Sequence, residues 1–184
     1  HKPAIGSYRW SLDGSKIFFV AAEPRPEDEE KARKDGDDAI FVDEGPNGQR
    51  DGTWTNLWSL DVGSKEETRL TEEDHRIASF SVSPNGDQVV FTARTENRRN
   101  QQNQAEIHLL DVTSGETRQM TDNEAPEGRL TWAPDGRRFV YEAPSDDQWE
   151  LRLDKLWIMD AESGDRRMIS EAFDGNIGSF SWTP

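Results

Sequence analysis

The chain has 184 residues, 37 of them acidic against 22 basic, for a formal net charge of −15, and only 32% are hydrophobic. Such a surface repels a phosphate backbone, which argues against nucleic acid as a partner. With no cysteine, disulfides, thiolate metal sites and thiol catalysis are excluded, and no apolar run approaches the ~20 residues that span a bilayer.

Taken in chain order, the residues repeat. The segment Ile5-Gly6-Ser7-Tyr8-Arg9-Trp10 reads as a strand, followed by the turn Ser11-Leu12-Asp13-Gly14 and a second strand over 16–21. The strand-and-turn unit returns as Ile77 to Val82 with Ser83-Pro84-Asn85-Gly86, and as Gly128 to Trp132 with Ala133-Pro134-Asp135-Gly136. Proline presets φ, Asn or Asp tolerates the next position, and Gly accepts positive φ. The second strands recur over 88–93 and 138–143. A fourth copy, Ile177 to Trp182, breaks off at Thr183-Pro184, where the same turn should begin.

Between these copies a second repeat aligns without gaps: Leu57 to Val62, Ile107 to Val112 and Leu156 to Ala161. Its aspartates Asp61, Asp111 and Asp160 stand 50 and 49 residues apart. Each copy leads through a Gly-containing turn (Gly63-Ser64, Ser114-Gly115, Ser163-Gly164) into a fourth strand ending at Thr71, Thr121 or Ser170. Several strands are apolar at successive positions, as in Ile17-Phe18-Phe19-Val20 and Leu156-Trp157-Ile158-Met159, so both faces of the sheet must be covered. Four short strands in ~40–50 residues, buried on both faces, make one blade of a β-propeller.

The fold class expected is therefore all-β: a partial β-propeller of three four-stranded antiparallel blades plus the first strand of a fourth. The chain, 1–184, forms one propeller fragment with blade one at 5–71, blade two at 77–121, blade three at 127–170 and the start of blade four at 177–184. Too few blades are present to close a ring, so the chain is expected to be part of a larger protein.

Residues 23–53 interrupt blade one. Pro26 to Gly36 reads as a surface helix with proline and acids first, bases last and glycine at the stop. Glu27–Lys31, Glu29–Arg33 and Glu30–Lys34 are i,i+4 pairs in the favoured order. A strand at Ala39 to Val42 and a loop at Gly45 to Gly48 follow. As a docking element the insertion would present Glu27, Glu29, Glu30, Asp37, Asp38 and Phe41; as a tolerated loop it would only carry charge.

The pattern Trp132-Ala133-Pro134-Asp135-Gly136, with Leu156-Trp157-Ile158-Met159-Asp160 beyond it, resembles the WD-like repeat of TolB-type propellers and of the N-terminal propellers of prolyl-oligopeptidase-family serine peptidases. The acidic insertion running into Gly36 to Glu44 is similar to the blade excursion of acylaminoacyl-peptidase-like and dipeptidyl-peptidase-like members. The resemblance implies a propeller that caps an α/β-hydrolase domain and filters peptide substrates on their way to its Ser-Asp-His triad. The rest of the parent propeller, that hydrolase domain and the peptide substrate would be the partners. The alternative is a TolB-type protein-binding scaffold with no enzymatic domain.

No Gly-x-Ser-x-Gly nucleophile elbow occurs in the sequence, and no catalytic residue, metal ligand or cofactor is called for. His108 occupies the place of Trp58 and Trp157 and reads as a packing substitution. Trp10, Trp132 and Trp182 share one repeat position, which points to blade packing. The open sheet faces of an unclosed ring predict self-association. Localisation is left open, with a lean towards the periplasm or the extracellular space from the acidic excess.

Overall fold

The computed structural model describes residues 4–24, 27–36, 53–72, 74–98, 101, 103–146, 148–175, 177 and 179–183. The strand expected at Ala39 to Val42 and the loop at Gly45 to Gly48 lie outside the described residues.

Among the described residues, twelve strands fall into three successive four-stranded antiparallel units. Blade one holds β1 (Ile5–Trp10), β2 (Lys16–Ala22), β3 (Thr55–Asp61) and β4 (Glu67–Arg69). Blade two holds β5 (Arg76–Val82), β6 (Gln88–Arg94), β7 (Glu106–Asp111) and β8 (Thr117–Gln119). Blade three holds β9 (Gly128–Trp132), β10 (Arg138–Pro144), β11 (Asp154–Asp160) and β12 (Arg166–Met168). Within each, sequence neighbours pair in order, and a single parallel bridge between Thr55 and Arg76 links blades one and two.

Turn chemistry repeats from blade to blade. Gly14, Gly86 and Gly136 all adopt φ of +67° to +75°, and their amides donate to the carbonyls of Ser11, Ser83 and Ala133. At the other hairpin, the aspartate that ends each third strand accepts from the backbone two and three residues on: Gly63 and Ser64 for Asp61, Thr113 and Ser114 for Asp111, Glu162 and Ser163 for Asp160. These bonds to the charged form hold all three carboxyls below the usual aspartate range. They also explain why the third strands stop at the aspartate rather than one residue later. The hairpin's left-handed position is filled by Gly115 and Gly164 in blades two and three but by Lys65, φ +66°, in blade one. Gly63, read from the sequence as the turn glycine, is displaced by two residues from the place that needs positive φ.

Burial follows the both-faces expectation. Val89, Phe91 and Leu110 of blade two pack with Phe18, Val20 and Leu57 of blade one. Their neighbours Val90, Ile107 and Leu109 point the other way, into a cluster with Trp132, Phe139, Tyr141 and Met159 of blade three. Apolar burial is thus between blades, where each strand contributes alternate residues to two different interfaces.

A polar bond recurs at the edge of each blade. The hydroxyl of Thr71, Thr121 or Ser170 accepts from the backbone N–H of Leu57, Ile107 or Leu156, where the three-residue outer strand has run out. Indole nitrogens tie one blade's first strand to the preceding one: Trp132 Nε1 donates to Ser81 O at 3.0 Å and Trp182 Nε1 to Thr131 O at 3.4 Å. The fourth copy therefore carries its tryptophan to the repeat position. Among the described residues 177 and 179–183, the backbone forms no ladder.

Candidate functional site

The three blades share two rims of different character. On one lie the tight β1–β2, β5–β6 and β9–β10 turns and the aspartate hairpins. On the other lie the described residues of the connections between second and third strands: 23–24, 27–36 and 53–54 in blade one, 95–98, 101 and 103–105 in blade two, and 145–146 and 148–153 in blade three. Loops of this length, held on paired strands, are where binding residues concentrate.

The blade-one excursion is anchored where it leaves the sheet. Glu23 N–H donates to Trp54 O at 2.7 Å, and the Glu23 carboxylate accepts from Asn56 Nδ2 at 2.9 Å with the Arg69 guanidinium 3.5 Å away. Beyond it, α1 (Glu27–Lys34) forms as read, with Lys34 Nζ 3.6 Å from Glu30 Oε1 and Gly36 at φ +80° after its end. Glu27 is exposed and Glu30 half-buried. Of the other residues singled out for docking, Glu29 lies on α1, and Asp37, Asp38 and Phe41 fall outside the described residues. The blade-three excursion contributes a single 3₁₀ turn, Trp149–Leu151, with Leu151 exposed and Arg152 bonded to Asp146 at 2.8 Å.

In blade three, beside the crossover that arrives from blade two and near this rim, a recess of about 120 Å³ is lined by Asn123, Glu127, Tyr141, Asp146, Trp157 and Arg166, among others. Glu127 is the charged centre, its side chain only 1% exposed. Burial drives its pKa up to about 7, against the lowering effect of the Thr121 hydroxyl at 2.6 Å and Asn123 Nδ2 at 3.0 Å; the Glu106 charge adds to the rise, and Arg166, at 3.9 Å, is too distant to offset it. Tyr141 Oη is buried, and among the described residues the Arg166 guanidinium is the polar group that faces it. Burial first, then the Glu127 charge, push the Tyr141 hydroxyl up to about 12, with Arg166 pulling the other way. The Arg166 guanidinium sits over the Trp157 ring, 5.8 Å from its centroid.

Sequence reading did not single this cluster out, although a signal was there. Glu127 stands at the repeat position of Ile5, Ile77 and Ile177, and Tyr141 at that of Phe19 and Phe91. Polar groups have replaced apolar ones at two touching positions of one interface.

On the tight-turn rim, a cleft of about 760 Å³ opens between the same two blades and is lined by Arg118, Arg137, Arg138, Asp111, Asp135 and Asp160, among others. Its charges are largely spent internally: Arg118 donates to Ala161 O and Glu162 O, and Arg138 grips Asp135 through two nitrogens. His108 stacks on Phe91, centroids 5.3 Å apart and 17° between planes, with His75 edge-on at 5.6 Å. It fills the place that Trp58 and Trp157 fill in the other blades.

Among solved structures, the chain is similar to TolB from Acinetobacter baumannii, with a TM-score of 0.63 at 17% identity over 95% of this chain and 33% of that one. It is also similar to the β-propeller domain of the Trilobed protease from Pyrococcus furiosus, with a TM-score of 0.59 at 14% identity, covering 91% of this chain and 43% of that one. The fold is a partial, TolB-type β-propeller. The acylaminoacyl peptidase of Pyrococcus horikoshii matches as well, with a TM-score of 0.59 at 11% identity over 91% of this chain, of which the match takes up 25%. The chain thus spans between a quarter and a half of these neighbours' lengths. No family profile and no curated protein matches the sequence. Within the propeller, indole bonds join β9 to β5 and the Trp182 segment to β9, and the long-loop rim carries α1.

Proposed function

We propose that this chain is the non-catalytic propeller segment of a larger prolyl-oligopeptidase-type serine peptidase, where it gates substrate access and docks on the hydrolase domain. The observation that supports this reading is the asymmetry of the two rims. The tight-turn rim is closed by short hairpins with internally satisfied aspartates, whereas the opposite rim carries the anchored 23–54 excursion with the charged, solvent-facing α1. The neighbouring folds include TolB and the β-propeller domain of the Trilobed protease, which supports a propeller scaffold.

In this reading Glu27, Glu29, Glu30, Asp37, Asp38 and Phe41 form the docking element, and the partners are the remaining blades, the α/β-hydrolase domain and a peptide substrate. Glu27→Lys with Glu30→Lys leaves the propeller folded and weakens attachment to the hydrolase domain. The deciding experiment is labelling of the natural full-length protein with a fluorophosphonate serine-hydrolase probe, together with its intact mass. A mass well above the 21.0 kDa of this chain, with stoichiometric labelling, supports the peptidase. An unlabelled protein made of blades alone overturns it and leaves a TolB-type binding scaffold.

A further inference from the structure

The crossovers into blades two and three run in register but are filled differently. In the first, His75 lies four residues beyond Thr71 and is 2% exposed. Its ring meets Phe91 and His108 edge-on, with centroids 5.9 Å and 5.6 Å apart. In the second, Ala125 lies four residues beyond Thr121. Tyr141 and Trp157 hold the places of Phe91 and His108, and with Ala125 they line the recess beside Glu127. The recess is therefore the space that an imidazole fills one blade earlier. At about 120 Å³ it has room for several waters, or for one planar group of about five heavy atoms. Tyr141 and Trp157 pack in one cluster with Val90, Ile107 and Leu109 of blade two, so this face of blade three meets a described neighbour.

Chemistry narrows the occupant. Where blade two has Ile77 and Thr117, blade three has Glu127 and Arg166. Glu127 accepts one bond on each oxygen, from Thr121 and Asn123, which leaves about two of its lone-pair positions unused. Arg166, at 3.9 Å, is beyond hydrogen-bond reach of them. Glu106 accepts from Asn123 behind the site and adds a second carboxylate. One guanidinium thus stands against two carboxylates, so a further cation balances the charge and an anion worsens it. Asp146, at the edge, is bonded by Arg152, and Tyr141, pushed up to about 12, stays uncharged. The Trp157 N–H is spent on the Pro144 carbonyl, which leaves the ring faces, and such faces attract cations.

We propose that this recess binds a small planar organic cation, of imidazolium or guanidinium type, against Tyr141 and Trp157, with its N–H groups donating to the Glu127 carboxylate. The site is independent of the gating reading. A free small molecule and an arginine or histidine side chain carry the same chemistry, and the test separates them.

The test is calorimetric titration of the natural full-length protein with methylguanidinium, its uncharged isostere methylurea, N-acetyl-arginine methylamide and acetate. Methylguanidinium binds and methylurea does not. Its affinity falls about tenfold per pH unit as pH drops below about 7, because a proton on Glu127 competes with the ligand. Glu127→Gln abolishes binding. Ala125→His places here the ring that blade two already carries, so the protein folds and binding is lost. Arg166→Gln removes a competing cation and tightens binding about three- to tenfold. N-acetyl-arginine methylamide bound as well as methylguanidinium identifies a side chain as the occupant, and the free cation bound alone identifies a small molecule. No binding of methylguanidinium up to about 10 mM overturns the proposal. So does binding that survives Ala125→His, or acetate bound in preference to either cation.

Discussion

Replacing Glu127 with Gln removes a buried carboxyl whose pKa burial drives up, so its effect varies with pH. In the unfolded chain the carboxyl titrates near its ordinary 4.5, and in the folded one near 7. Between these values the folded state keeps a proton that the unfolded state has released, so wild-type stability falls as pH rises through this window. The gap corresponds to about 3 kcal/mol at about 1.4 kcal/mol per pH unit. That contribution is fully present below pH 4.5 and lost above pH 7. Gln cannot ionise. It also offers one acceptor oxygen where Thr121 and Asn123 now use two, a cost of about 1–2 kcal/mol that does not depend on pH. The expected result is a variant less stable than wild type at pH 4.5 and more stable at pH 8, the difference changing by up to about 3 kcal/mol. Urea unfolding followed by circular dichroism across pH 4.5 to 8 measures it. His75, His108, Glu106, Arg166 and Tyr141 are present in both proteins and largely cancel in the difference. Two curves that run parallel across that range would refute the reasoning.

Lys65 occupies a left-handed position that blades two and three give to glycine, so Lys65→Gly stabilises the chain by about 0.5–1 kcal/mol, read as an upward shift of the thermal midpoint. Trp132→Ala empties a site packed against Phe139 and breaks the bond to Ser81, which costs about 3–5 kcal/mol, whereas Trp132→Phe costs about 1 kcal/mol for the lost N–H. The turn aspartates act at the acid end. Asp13, with its carboxyl bonded by Ser15 and Ser11, is held at about 2, and Asp61, Asp111, Asp135 and Asp160 are likewise held below 3.8. Their support is present above 3.8 and lost as pH falls through the lowered values, so acid unfolding sets in below pH 4, and Asp111→Asn reduces the steepness of that loss.

Much of the architecture was legible before any coordinates. Runs such as Ile17 to Val20 are apolar at successive positions, which only a sheet covered on both faces can accommodate, and the Asp-Gly and Asn-Gly turns mark hairpins because glycine alone takes positive φ cheaply. Spacing does not report bonds made across 51 residues, so the indole-to-carbonyl links emerged only from the structure. At the β3–β4 hairpin Gly63 stands near the place a turn glycine is expected, while the backbone puts Lys65 in the left-handed conformation and lets the Asp61 carboxylate cap the turn. The recess around Glu127 escaped notice because a lone glutamate at the start of a strand looks solvated; its burial depends on Tyr141 and Trp157, which arrive from two later strands. For the insertion, sequence supplied the helix and the Glu30–Lys34 pair but not what they meet.

Amide hydrogen exchange, strand by strand, tests the stacked-blade account most directly. The account predicts the slowest exchange in β6, where Val89 to Arg94 are buried on both faces, and markedly faster exchange in β1, which is open on one side. Equal protection of β1 and β6 would contradict it, since blades that shelter one another cannot leave the uncovered strand as protected as the enclosed one.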